Sequence, residues 1–143
     1  MVFMQTPFSH SVVALFGYAA WTLTLLIAIA AWRIVLIVRD RRAANAFKPT
    51  GEDVSPANVR LIRAHANCYE NLPVFAAVVM AAHASGHGAV TDPLALWVLA
   101  ARCAQSGVHL LSTRRRAVLL RFVFFFTQVA IEVYWVVQLA RLQ

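Results

Sequence analysis

The chain has 143 residues, of which 61% are hydrophobic and 13% are charged, and its formal net charge is +7. A soluble domain of this size usually carries about 25% charged residues, so the composition excludes an ordinary soluble protein and favours a membrane protein. The positive charge does not indicate nucleic acid as a partner, because it is concentrated in two loops between apolar segments.

Four apolar segments follow one another along the chain, and each is long enough to cross a bilayer, which takes about 20 mostly apolar residues. We place them at 11–38, 56–84, 93–111 and 117–139, within a single domain that covers residues 1–143. A backbone exposed to lipid must satisfy its hydrogen bonds within each segment. The sequence therefore predicts an all-α membrane protein, a bundle of four transmembrane helices.

The basic residues indicate how these helices are oriented. Arg39, Arg41, Arg42 and Lys48 lie between the first two segments, and 114–116 is a run of three arginines between the last two. The N-terminal tail and the loop 85–92 contain no Lys or Arg. Positive loops usually face the cytoplasm, so we expect both termini outside and the basic loops near anionic membrane lipid. The short loops suggest a bacterial inner-membrane protein.

A stripe of polar residues opens the second segment. Arg60, Arg63, Asn67 and Glu70 are spaced three, four and three apart, so on a helix they share one broad face. Ionisable groups are costly inside a bilayer and usually mark a functional site or an internal ion pair.

The third and fourth segments carry similar stripes. Their members recur at helical spacing and are, in chain order, Arg102, Gln105 and His109, and then Arg121, Phe125, Gln128 and Glu132. Three helices therefore present polar side chains to something other than lipid.

Arg102 lies near the middle of its segment and needs an anion, for which Glu70 and Glu132 are available. We take Glu70 and Arg102 as a structural ion pair. One interpretation is that such pairs only neutralise one another and fix helix register. His83 and His87 lack a third ligand, so no metal site is predicted.

The other interpretation rests on a surplus of arginines near the cytoplasmic helix ends, namely Arg39, Arg60, Arg63 and Arg121. Guanidinium groups match carboxylates in bidentate fashion, so the surplus favours a small polyanion as ligand. For Arg39, a contact with lipid phosphate is an equal alternative.

The motif Arg63-Ala-His65-x-Asn67-x-x-Glu70-x-x-Pro73 resembles the second-helix signature of the MAPEG proteins, the membrane-associated proteins of eicosanoid and glutathione metabolism. The resemblance extends over four spans, with Arg102 in the third and Arg121 opening the fourth. It implies a homotrimer that binds glutathione between subunits, at the cytoplasmic side of the membrane.

The resemblance also implies a role for each matching residue. Arg39 and Arg63 would face the glutathione carboxylates, Asn67 and Glu70 would hold the γ-glutamyl end, and Arg121 would lie near the sulfur and favour the thiolate. Three further residues match positions on the same cleft: His65, Gln105 and His109. Many relatives have a tyrosine at the position of His109.

One departure from the family bears on catalysis. Relatives of the eicosanoid type have a serine or tyrosine hydroxyl one or four residues beyond the fourth-helix arginine, where this chain has Phe122 and Phe125. The resemblance implies a glutathione-dependent transferase or peroxidase that acts on a lipophilic small-molecule acceptor. The two phenylalanines favour the alternative, a non-catalytic membrane module that uses the same cleft for binding or assembly.

Overall fold

A computed structural model describes residues 8–142, and within them the chain forms four long helices. They are α1 His10–Asp40, α2 Pro56–Ala84, α3 Asp92–Leu111 and α4 Arg115–Ala140, with a short 3₁₀ turn Gly88–Val90 before α3. The predicted all-α class is confirmed, and each helix begins and ends within two residues of its predicted segment.

Three of the helices in this part of the chain, α1, α3 and α4, are long and apolar enough to cross a membrane. The second helix is not among them, because the polar residues of its first half lower its hydropathy. Four helices are therefore confirmed, whereas a fourth membrane crossing stays a prediction.

Serine side chains determine where the first two helices begin. The Ser9 hydroxyl accepts a hydrogen bond from the backbone N–H of Val12, and the Ser55 hydroxyl accepts one from the backbone N–H of Asn58. Pro56 follows Ser55 at the first helical position, where its missing N–H costs nothing. The sequence predicts this start of α2. The starting residue fixes which direction around the helix axis the polar residues of the following stripe point.

An aromatic cluster joins three of the helices at the core. The ring of Phe75 on α2 lies 5.3 Å from Tyr18 of α1 and 6.0 Å from Trp135 of α4, and all three side chains are fully buried. By contrast, Phe16, Ile27 and Phe126 point outward and are each more than 60% exposed. So much exposed apolar surface is typical of a bundle whose outer faces contact lipid or another subunit.

The helix ends near the start of α1 are joined by side-chain hydrogen bonds. The backbone N–H of Ser11 donates to the Asp92 carboxylate at 2.9 Å, and the Ser11 and Thr91 hydroxyls are 2.8 Å apart. The Ser9 hydroxyl lies 2.9 Å from Nε2 of His83. These bonds connect the beginnings of α1 and α3 to the end of α2.

The loop between α1 and α2 is held together by Arg42. Its guanidinium pairs with the Asp53 carboxylate, donates to the backbone carbonyls of Asp53 and Ala46 at 3.0 and 2.9 Å, and lies 4.4 Å above the Phe47 ring. These contacts connect the beginning of the loop to its end.

The pKa of the Asp53 carboxyl group lies below its ordinary value. Partial desolvation acts to raise the pKa of Asp53, but backbone hydrogen bonds from Lys48 and Asp53 itself, together with the Arg42 guanidinium, outweigh it and lower that pKa. The carboxylate form is thus the one that the folded loop stabilises.

Gly51 brings this loop into direct contact with α2. Its φ angle is +72°, a conformation that favours glycine. A Cβ atom at this position would collide with the Asn58 side chain and would lie 2.6 Å from Cδ1 of Ile62.

Candidate functional site: a cationic cleft

The first half of α2, the end of α3 and the beginning of α4 surround a cleft with an inner and an outer cavity. The inner cavity has a volume of about 240 Å³ and is lined by Asn67, Gln105, His109, Val118, Arg121, Phe122 and Phe125. The outer cavity has a volume of about 510 Å³ and is lined by Glu52, Pro56, Val59, Arg60, Arg63, His109, Thr113, Val118 and Arg121. Because His109, Val118 and Arg121 line both cavities, we treat them as one site, the cationic cleft.

Helical spacing explains why these side chains converge. Gln105 and His109 lie four residues apart on α3, and Arg121 and Phe125 lie four apart on α4, so each pair points from one face of its helix. The predicted stripes on α3 and α4 therefore do meet in space. Gln105 also accepts a hydrogen bond at 3.1 Å from Gln128, which fixes its amide from the α4 side.

Arg121 and His109 are in direct contact at the junction of the two cavities. Nη1 of Arg121 is 2.7 Å from Nδ1 and 3.1 Å from Nε2 of the His109 ring. The amide nitrogen of Asn67 lies 3.4 Å from the same Nε2 and donates at 3.0 Å to the backbone carbonyl of Arg63. Three helices thus contribute one connected polar group of residues.

The charge of the outer cavity is strongly unbalanced. Arg60, Arg63 and Arg121 supply three guanidinium groups, whereas Glu52 supplies the one carboxylate among the lining residues. Nε of Arg60 donates to the backbone carbonyl of Leu110 at 2.9 Å, which anchors this side chain at the end of α3. An excess of cations around an open cavity attracts an anionic ligand.

The inner cavity adds an apolar wall to this cationic mouth. Phe122 and Phe125 line it together with Val118, and both rings pack against Phe126 at centroid distances of 6.3 and 5.6 Å. The cationic cleft therefore offers charged groups near the helix ends and, further along α4, an aromatic surface in which Phe122 is about half exposed.

The cationic cleft contains four of the predicted ligand-binding residues, Arg63, Asn67, Gln105 and His109, and also Arg121, the predicted catalytic residue. It does not contain Arg39, His65 or Glu70. Arg39 is exposed and its nearest carboxylate is that of Asp40, at 3.8 Å; His65 packs against Tyr69 at a centroid distance of 5.5 Å. Glu70 is exposed on the outside of the single chain. Ligand contacts of these three residues stay predictions.

The predicted Glu70–Arg102 ion pair is not formed. Arg102 is 1% exposed and donates from Nη1 to the backbone carbonyl of Asn67 at 3.0 Å, and the side-chain ion pairs found within residues 8–142 do not include it. Glu70 follows the buried Cys68 by two residues, or about 200° of helical rotation, and so points away from the core.

The other candidate anion, Glu132, lies in the interior with Arg102. It is 4% exposed, accepts a hydrogen bond from Asn71 at 2.8 Å and lies within the electrostatic range of the Arg102 guanidinium. Nε and Nη2 of Arg102 have no hydrogen-bond partner among the described residues. Of the two candidate anions, Glu132 is therefore the one that is buried and interacts electrostatically with Arg102, although no salt bridge within residues 8–142 joins the two side chains.

Four lining residues carry no signal in the sequence, namely Glu52, Val59, Thr113 and Val118. Two of them lie in loops, whose paths no hydrophobic period predicts. Asn71 belongs to the polar opening of α2, but its hydrogen bond to Glu132 depends on how α2 packs against α4.

Together, the apolar helices and the cationic cleft define a helical protein of the membrane-associated kind, with an open and positively charged cavity between three of its helices. The chain belongs to the MAPEG family, whose model matches residues 11–141 of the 143. No curated protein and no solved structure matches the chain closely enough to be compared with it.

Proposed function

We propose that the protein is a membrane-embedded, glutathione-dependent transferase or peroxidase that acts on lipophilic electrophiles or hydroperoxides. Its MAPEG membership is consistent with this class of activity. The observation that carries the proposal is the composition of the cationic cleft, which combines three guanidinium groups at the mouth with the rings of Phe122 and Phe125 inside. Such a cleft suits an anionic co-substrate and an apolar acceptor at the same time.

Glutathione fits the charge of this site. It carries two carboxylates, which suit guanidinium groups such as Arg63 and Arg60, and one ammonium group, which needs a carboxylate. Glu70 and Arg39 are exposed on the single chain. In the proposed homotrimer a neighbouring subunit covers these faces, so both residues then contribute to a site between subunits.

The proposed chemistry begins with the thiol. Arg121 stabilises the thiolate, which is the nucleophilic form. With an electrophile, the thiolate forms a carbon–sulfur bond, and either a leaving group departs with its electron pair or, in an addition to a polarised double bond, the resulting carbanion takes a proton from water. With a hydroperoxide, the thiolate attacks the outer peroxide oxygen and forms a sulfenic acid, while the O–O bond breaks and the departing alkoxide takes a proton from water to give the alcohol. A second thiol then converts the sulfenic acid to the disulfide and releases water. The acceptor reaches the sulfur from the bilayer, along the wall formed by Phe122 and Phe125.

The second candidate is a non-catalytic membrane module that binds the same ligand, and Phe122 and Phe125 favour it. Both line the inner cavity, and neither side chain can donate a hydrogen bond to a thiolate. For either function we propose a bacterial inner-membrane location, with both termini outside and the cationic cleft opening toward the cytoplasm.

Calorimetry of the detergent-solubilised protein with glutathione tests the proposal, followed by ultraviolet absorbance of the bound thiolate and an assay with a lipophilic electrophile. Saturable binding with thiolate formation and turnover supports the enzyme. Binding without thiolate supports the module, and an absence of binding contradicts both. Arg114→Ala is the matched control, because Arg114 is exposed and lies outside the cationic cleft.

A further inference from the structure

Glu52 brings a negative charge into the outer cavity of the cationic cleft. It lines this cavity together with Arg60, Arg63 and Arg121, and it is the one acidic side chain among the lining residues. We propose that Glu52 binds the ammonium group of the ligand, so that the cleft selects a ligand with an ammonium group beside its carboxylates over a purely anionic one. This inference rests on the proposed function and makes Glu52 a specificity-determining residue.

The Glu52 carboxylate is not neutralised by the arginines of the cavity. The ion pairs found within residues 8–142 involve Asp40 and Asp53 instead. Arg60 donates to a backbone carbonyl at the end of α3, and Arg121 contacts an imidazole ring. The Glu52 side chain is exposed, so its carboxylate is open to a cation that a ligand brings.

The other acidic residues without an arginine partner lie away from the cleft of the single chain. Asp92 accepts a hydrogen bond at the opposite end of the bundle, and Glu132 is buried in the interior. Glu70 is exposed on the outside of the chain. Glu52 is therefore the carboxylate that one chain offers to a ligand in the cationic cleft.

The residues on both sides of Glu52 are held by contacts. Gly51 packs so closely on α2 that a Cβ atom there would lie 2.6 Å from Cδ1 of Ile62. On the other side, Asp53 pairs with Arg42, and its backbone carbonyl accepts a hydrogen bond from the same guanidinium at 3.0 Å. These contacts place Glu52 beside the start of α2, where its side chain can adjust to a ligand.

The arginines account for affinity, whereas Glu52 accounts for selection. Three guanidinium groups and one carboxylate leave the outer cavity with an excess of positive charge, which attracts a ligand with carboxylates. The Glu52 carboxylate repels such a ligand when it has no cation, and attracts it when an ammonium group lies beside the carboxylates. A repulsive group of this kind discriminates between two ligands that otherwise share every group.

Calorimetry of the detergent-solubilised protein with two peptides tests the proposal. Glutathione carries the ammonium group, and glutaryl-cysteinyl-glycine is the same peptide without it. The wild type should bind glutathione about fivefold more tightly, which corresponds to the stronger ion pairs measured between exposed side chains. Glu52→Gln should bind the two peptides about equally, mainly because glutathione binds more weakly.

Two further variants show whether the effect belongs to Glu52. Asp40→Asn is the matched control and should keep the wild-type preference, because Asp40 is an exposed carboxylate that does not line the cleft. Glu70→Gln tests the competing assignment, in which Glu70 binds the ammonium group from a neighbouring subunit. Loss of the preference in Glu70→Gln, with the preference retained in Glu52→Gln, overturns the proposal.

An equal loss of affinity for both peptides in Glu52→Gln also overturns the proposal, because it indicates a general effect on the cleft and no recognition of the ammonium group. A wild type that binds both peptides equally does the same. A wild type that binds neither peptide contradicts the proposed function itself, and the role of Glu52 with it. The two failures are therefore distinguishable.

Reversing the charge gives a second measurement. Glu52→Lys should bind glutaryl-cysteinyl-glycine more tightly than the wild type does and glutathione less tightly, so that the preference between the two peptides is reversed. The melting temperature should change little, since the Glu52 side chain is exposed. An unchanged preference for glutathione in Glu52→Lys overturns the proposal.

Discussion

The two ends of the bundle use similar polar residues in opposite ways. Near the start of α1, donors and acceptors are matched: Ser11 contacts Thr91 and Asp92, and Ser9 contacts His83. In the cationic cleft, three guanidinium groups line the outer cavity with one carboxylate. A polar group whose partners lie within the chain stabilises the fold, whereas a surplus of one type of group indicates a ligand.

The interior between these ends is a third environment, where Arg102 and Glu132 are both more than 90% buried. A charged side chain buried in this region is shielded from solvent. Removing its partner leaves an uncompensated buried charge, so we expect the largest losses in the free energy of unfolding from mutations here.

Glu132→Gln should leave Arg102 as an unbalanced buried charge and lower the free energy of unfolding by about 3–5 kcal/mol. Adding Arg102→Met should recover part of this loss, because it removes the unbalanced charge. A double-mutant cycle, in which the unfolding free energies are measured in detergent, gives the coupling energy between Glu132 and Arg102. The matched control is Glu70→Gln with Arg102→Met, which should be additive. Additivity in the Glu132 cycle would show that the interior charges do not act as a pair.

Arg63→Ala should weaken glutathione binding by about tenfold to a hundredfold, because one charge-assisted contact of about 1.5–3 kcal/mol is lost. The melting temperature should change little, since Arg63 is exposed. Calorimetry with Arg114→Ala as control checks this result. Equal affinities of the two variants would mean that the surplus charge of the cleft does not bind the ligand.

Asp92→Ala should show the opposite pattern at the other end of the bundle. It leaves the backbone N–H of the buried Ser11 without its acceptor, which should lower the free energy of unfolding by about 1–3 kcal/mol. Glutathione affinity should stay at the wild-type value. Asp92→Asn keeps an acceptor oxygen and should be closer to wild type in stability. A loss of affinity in Asp92→Ala would indicate that the two ends are coupled.

The smallest effect is expected from the Arg42–Asp53 pair in the loop. Because the folded protein lowers the pKa of Asp53, the contribution of this carboxylate to stability is present above its unfolded pKa of about 3.9 and is lost as the pH falls through the lower folded value. Arg42→Met should lower the melting temperature at pH 7, and the difference from wild type should narrow below about pH 4. A difference that is independent of pH would assign the effect to the contacts of Arg42 that do not titrate, namely its packing on Phe47 and its hydrogen bonds to two backbone carbonyls.

Local signals predicted much of this arrangement. Ser55 and Pro56 indicate the start of α2, and the four-residue spacings of Gln105 and His109 on α3 and of Arg121 and Phe125 on α4 indicate which side chains share a helix face. Both are consequences of hydrogen-bond chemistry and helical periodicity, which need only neighbouring residues.

The features that the sequence did not predict depend on contacts between different helices and loops. Asn67 and Glu70 lie three residues apart within one polar stripe, yet Asn67 lines the cleft and Glu70 points outward. A stripe with this spacing covers a wide arc of the helix, and packing decides which edge faces the interior. The position of Glu52 likewise depends on the loop held by Arg42, for which the sequence offers no periodic pattern.

Positions in the loop between α1 and α2 differ in how well they accept a substitution, and Gly51 is the most restricted of those described above. A methyl group at this position would lie too close to the ends of the Asn58 and Ile62 side chains, and a φ of +72° is strained for alanine, so Gly51→Ala requires those side chains or the loop backbone beside Glu52 to move. Asn45 and Thr50, by contrast, are exposed. Labels or affinity tags are therefore best placed at these two positions. A variant at residue 51 can alter access to the cleft without touching the ligand.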